Sequence, residues 1–62
     1  MKAADLTRAH LNREVVIRMG RDRVAGIVLA IMHRREHTEV TVLKECGFDS
    51  CCLSGDDEVE IR

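Results

Sequence analysis

Two histidines and three cysteines, His33, His37, Cys46, Cys51 and Cys52, are residue types that bind zinc. Structural zinc is held by tight pairs such as Cys-x-x-Cys. Here Gly47 to Ser50 separate Cys46 from Cys51, and Cys51 and Cys52, adjacent on an extended segment, point to opposite faces. The spacing therefore predicts no metal site and no cofactor, with Cys51 and Cys46 as small buried hydrophobes. Nucleophilic catalysis needs a thiol or hydroxyl beside a histidine oriented by a third group, in a pocket. A chain of 62 residues leaves little room for one. His10, His33 and His37 are expected on the surface, and no catalytic residue and no enzyme activity are predicted. Asp56, Asp57, Glu58 and Glu60 occupy a turn and alternating strand positions, which suits a solvated acidic edge.

Arg21, Arg23, Arg34 and Arg35 fall in the two hairpin tips that bound the middle of the chain, and positive loops can neutralise phosphates. Phe48 is the sole aromatic residue, so the stacking platform used by most single-strand binders is missing. The net charge is −1, but residues 1–37 hold eight Lys or Arg against four acids and residues 38–62 hold two against seven. Such polarity suits either a nucleic-acid face or a head-to-tail contact between copies.

At about 60 residues, folding hides only about 60% of the surface of the unfolded chain, so help from disulfides, metal or assembly is expected. An odd number of cysteines, and a start that carries Lys2, Asp5, Arg8, Arg13 and Glu14 without an apolar signal core, predict reduced thiols in a cytoplasmic protein. The longest apolar run is well short of the roughly 18 residues of a membrane span, so no membrane is expected.

The elements that must position these residues read as one domain. AADLTRAHLN predicts a short helix over 3–12, with Leu6 and Leu11 packing on something and Asn12 ending it in the left-handed conformation. REVVIRM predicts a half-buried strand over 13–19, with Val15, Ile17 and Met19 alternating with Glu14, Val16 and Arg18. GRDR is a hairpin turn around Gly20. VAGIVLAIMHR is apolar on both faces; its β-branched Val24, Ile27, Val28 and Ile31, with Gly26 inside, favour a long bent strand over 23–34 rather than a helix. Further strands are expected over 38–45, 48–54 and 58–62, with Val40 and Val42 on one face, Thr41 and Leu43 on the other, SGDD as a tight turn, and Val59 and Ile61 inward.

Five short strands in meander order, a glycine in a long second strand, an N-terminal helix and a tight turn before the last strand resemble the Sm-like small β-barrel, which is five-stranded with SH3-like topology. The elements that carry the resemblance are V-V-I-R-M with its turn, R-V-A-G-I-V, and L-S-G-D-D-E-V-E-I at residues 53–61. It implies a mainly β fold, a small five-stranded barrel with a short N-terminal α-helix. Members of that family pair the fourth strand of one copy with the fifth of the next to form rings, and many bind RNA around the pore. Ser54 stands where the family's turn commonly has a basic residue, the Asp-x-x-x-Asn pattern is absent from MHRREH, and the last strand is offset by one residue. Ring formation therefore carries over more readily than RNA binding.

In such a strand, Val24, Val28 and Ala30 are expected inside, and Ile27, Leu29 and Ile31 on the other face, partly shielded by Leu6 and Leu11. A bare apolar patch of that kind is uncommon on a monomer. The expected function is a non-enzymatic interaction module, a homo-oligomer that also binds a protein partner, with Ile27, Leu29, Ile31 and Leu43 at the interface. The alternative is an RNA- or DNA-binding regulator of the same fold that uses Arg21, Arg23, Arg34 and Arg35.

Overall fold

The computed structural model describes residues 1–62, the side chain of Met19 excepted. Met19, placed inward by the alternation of the first strand, thus lies outside the described side chains. The chain is mainly β, with strands β1 (Glu14–Met19), β2 (Asp22–His33), β3 (Thr38–Lys44), β4 (Gly47–Leu53) and β5 (Val59–Ile61). All pairings are antiparallel, in one sheet of order β4-β3-β2-β1-β5. Met19 pairs with Asp22, which leaves Gly20 and Arg21 as a two-residue hairpin loop. Gly20 takes the positive φ of 63° that such a loop needs at its first position.

Period-two alternation assigns the faces. Val15 and Ile17 of β1, Val28 of β2, Val40 and Val42 of β3, Cys51 and Leu53 of β4 and Val59 of β5 form one buried cluster on the inner face, and Val24, Ile31 and Ile61 pack against it. The expectation that Ala30 faces inward and Ile31 outward is corrected. The β2–β3 pairing shifts between Val28 and Ala30, opposite Val42 and Thr41, so Leu29 is an extra residue and the parity of β2 reverses after it. Ala30 is consequently exposed and Ile31 joins the core. Gly26 is not the site of the bulge. It lets β3 approach, because a Cβ there would lie 2.6 Å from the backbone oxygen of Leu43.

The expected α-helix over 3–12 is two separate 3-10 turns, Ala3–Asp5 and Arg8–His10. Leu6 and Thr7 between them are extended, with ψ of 136° and 175°. Thr7 starts the second turn through its own backbone N–H, which donates to His10 Nδ1 at 2.9 Å. A helix this short gains little from its own hydrogen bonds, so tertiary contacts decide its course. The break lets Leu6, buried to 2% exposure, enter the inner cluster beside Ala3. Leu6 therefore covers the inner face rather than the outer one. Asn12 does adopt the left-handed conformation, at φ 67°. It ends a 3-10 turn, and its N–H donates to the Val28 carbonyl at 2.8 Å, beside the bulge.

The sheet is not closed into a barrel, which corrects the second part of the expected fold class. β4 pairs only with β3, and β5 is three residues long and pairs, as a strand, only with β1. The far side of β5 is taken by the start of the chain. Lys2 bridges to Glu58, Val59 N–H donates to the Met1 carbonyl at 2.8 Å, and Ala3 N–H donates to the Asp57 carbonyl at 2.8 Å. Residues 1–6 thus supply both an edge partner for β5 and a lid for the inner face, the two things closure would otherwise provide.

His33 is exposed, as expected, and its ring also fastens that lid. The Leu6 carbonyl can only accept, so His33 Nε2 donates to it at 2.7 Å. In the neutral ring Nδ1 then accepts from the hydroxyl of Thr38, 3.0 Å away. Thr38 is 3% exposed, so this bond satisfies a buried polar group.

Candidate functional site

Because Val40, Val42, Cys51 and Leu53 point inward, the residues between them point outward: Glu39, Thr41 and Leu43 on β3, and Ser50 and Cys52 on β4, with Phe48 on the same alternation. The cross-strand register arranges them in rows. Ile27 of β2 lies opposite Leu43, and Leu43 lies opposite Phe48. Thr41 lies opposite Ser50, with their hydroxyls 3.3 Å apart. Met32 lies opposite Glu39, and Glu39 opposite Cys52. The face therefore has an apolar end and a mainly polar end, where Met32 is also exposed, four residue steps apart from Leu43 to Glu39, or about 13 Å along the strand.

At the apolar end Leu43 is 41% and Phe48 77% exposed. The row ends at Phe48, on the strand whose outer edge has no partner within the sheet. Burying a phenylalanine is worth about 1.5–3 kcal/mol, so an isolated chain leaves a large hydrophobic contribution unused here.

At the polar end, His37 Nε2 donates to Glu39 Oε1 at 3.3 Å, and Arg34 Nε lies 3.4 Å from the same oxygen. The hydrogen bond from His37 and then the charge of Arg34 hold the Glu39 carboxyl below the usual carboxylate range. One ligand atom each from His37, Glu39 and Cys52 lie within 4.8 Å of one another. Burial pushes the thiol of Cys51 up, with the charge of Asp49 adding to it. Cys46 was expected to be buried but is exposed, because it sits in the turn between Lys44 and Gly47.

Of the residues expected at an interface, Ile27 is half-buried, Leu43 is exposed on the outer face, Leu29 is exposed on the bulge beside Leu11, and Ile31 packs on the core. The four hairpin arginines are all exposed but divide into two pairs: Arg21 and Arg23 lie at the start of the twelve-residue β2, and Arg34 and Arg35 lie beyond its end. They do not form one patch. Phe48 and Glu39 had no part in the expected site. Both become legible once the β3–β4 turn is placed at Glu45 and Cys46, because pairing outward from it brings Phe48 to Leu43 and Cys52 to Glu39. Comparison with protein-family models, curated proteins and solved structures finds no match for this chain.

Proposed function

We propose that this chain is a non-enzymatic interaction module that self-associates through the outer face of β3 and β4 and the open edge of β4, and presents the assembled surface to a protein partner. The observation that carries this is the in-register row Ile27–Leu43–Phe48, which runs across three strands and stops, at its most exposed member, on an unpaired sheet edge. A second copy set beside β4 would extend the ladder and the apolar row together. Free strand edges pair readily with other chains unless they are blocked. The β5 edge is the less available of the two, because residues 1–3 already bond to residues 57–59. Association by β4 against β4 is therefore favoured over the β4-to-β5 rings implied by the resemblance to Sm-like proteins.

The test is the mass of the untagged protein in solution by light scattering over a range of concentrations, beside Phe48→Asp. Each copy of Phe48 buried contributes about 1.5–3 kcal/mol, so losing two per dimer should weaken association at least about a hundredfold. A wild-type protein that stays monomeric at high concentration, or a Phe48→Asp protein that associates like the wild type, would overturn the proposal. Nuclease treatment before the same measurement separates it from the alternative, nucleic-acid binding through Arg21, Arg23, Arg34 and Arg35, in which mass would be lost on treatment.

A further inference from the structure

We propose that His37, Glu39 and Cys52 form a site for a single zinc-like divalent cation at the polar end of the outer face. Three observations carry it. First, the ligand types are mixed, one imidazole nitrogen, one carboxylate oxygen and one thiol sulfur, the donors that zinc accepts together. Second, the atoms are already close to a coordination polyhedron. Zinc bonds of about 2.0–2.1 Å to nitrogen and about 2.0–2.2 Å to oxygen, at a tetrahedral angle, place those two atoms roughly 3.3–3.5 Å apart. His37 Nε2 and Glu39 Oε1 are 3.3 Å apart. A thiolate bond of about 2.3 Å asks for roughly 3.5–3.7 Å from sulfur to each. The whole group spans at most 4.8 Å, so the sulfur closes by no more than about 1.1–1.3 Å, within the reach of a Cys52 rotamer change. Third, two of the ligands are fixed by the fold: Glu39 and Cys52 are directly paired across β3 and β4, and His37 lies one residue before β3.

On binding, the neutral His37 ring shifts its single hydrogen from Nε2 to Nδ1 through solvent, which frees the Nε2 lone pair for the cation, and the Cys52 thiol releases its proton to solvent. Three protein ligands leave the fourth position to water. Arg34 is the competitor, because it lies 3.4 Å from the carboxylate oxygen the cation would use. The site shares the outer face of β3 and β4 with the Ile27–Leu43–Phe48 row but lies about 13 Å along the strands from it, and a thiolate band and a solution mass are separate readouts, so either proposal can fail without the other.

Cobalt titration of the untagged, fully reduced protein tests the proposal, since cobalt(II) reports thiolate ligation by a charge-transfer band in the near ultraviolet. One equivalent per chain should produce the band, and zinc should abolish it by displacement. Cys52→Ser should remove it and Cys46→Ser should keep it. His37→Ala and Glu39→Gln should each weaken binding at least about tenfold, and Arg34→Ala should strengthen it. All five positions are at least partly exposed, so the variants keep the fold, which circular dichroism checks. No band, a band that persists in Cys52→Ser, or a band lost in Cys46→Ser would overturn the assignment, as would affinity unchanged by both His37→Ala and Glu39→Gln.

Discussion

Gly26→Ala isolates the close approach between β2 and β3. A Cβ at this position would meet the Leu43 carbonyl oxygen at 2.6 Å, the carbonyl carbon at 3.2 Å and Val42 Cβ at 3.2 Å. Two of these three atoms are backbone, so no rotamer change relieves the contact, and the strands must separate locally. Overpacking of this kind costs about 1–3 kcal/mol, and a contact with backbone belongs at the upper end. Restricting the unfolded chain returns about 0.4–1 kcal/mol. The net loss should be about 2 kcal/mol. For a chain of 62 residues, total stability is on the order of 3–9 kcal/mol, so the loss is a large fraction of it. It corresponds to a fall of roughly 8–16 °C in Tm. The assay is thermal and urea unfolding at one fixed protein concentration, since association would raise Tm by mass action. The urea m-value should be unchanged, because the same surface is exposed on unfolding. A Tm equal to or above that of the wild type would refute the close approach and with it the packing of β3 against β2.

Two further predictions follow from the fold and the polar cluster. Leu6→Ala should cost about 2–5 kcal/mol, enough to unfold much of the population; a loss too small to move the denaturation midpoint would show that the first 3-10 turn is not part of the core. Glu39 has an ordinary pKa of 4.5, which the folded chain lowers, so its carboxylate adds stability above that value and loses it as the pH falls through the lower folded pKa. The stability advantage of the wild type over Glu39→Gln should therefore be largest near neutrality and vanish in acid; an advantage of equal size at both pH values would rule out the His37 and Arg34 contacts as its source.

Alternation was enough to find β1, β3 and β5, which carry β-branched residues at every second position, whereas β4, GFDSCCL, carries none and was placed by the glycine turns on either side of it. Val15, Ile17, Val40, Val42, Val59 and the turn at Gly20 were legible for that reason. The reversal at Leu29 was not. No residue type announces an extra residue in a strand that is apolar on both faces, and Gly26, the conspicuous candidate, serves a different contact. The helix failed for a related reason. Spacing reports which residues share a face, but whether three-residue turns join into an α-helix depends on what Leu6 must reach. The candidate site was half legible. Leu29 and Leu43 stand out by composition, whereas Phe48, Glu39 and Cys52 acquire meaning only through their partners across the β3–β4 turn.

The bulge at Leu29 also governs errors in assembly. A ribbon greasy on both sides can slide past its neighbour by two positions and still hide its bulk, the cheapest mistake open to β2 and β3. With one surplus residue held opposite the Val42–Thr41 step, such a slide would have to carry the kink along or create a second one, and every side chain beyond it would be turned the wrong way. Leu29 thus acts as a pawl, allowing the two strands one alignment. Deleting it should free them to creep, and the same chain would then be expected to trade a single folded form for a mixture that sticks to itself.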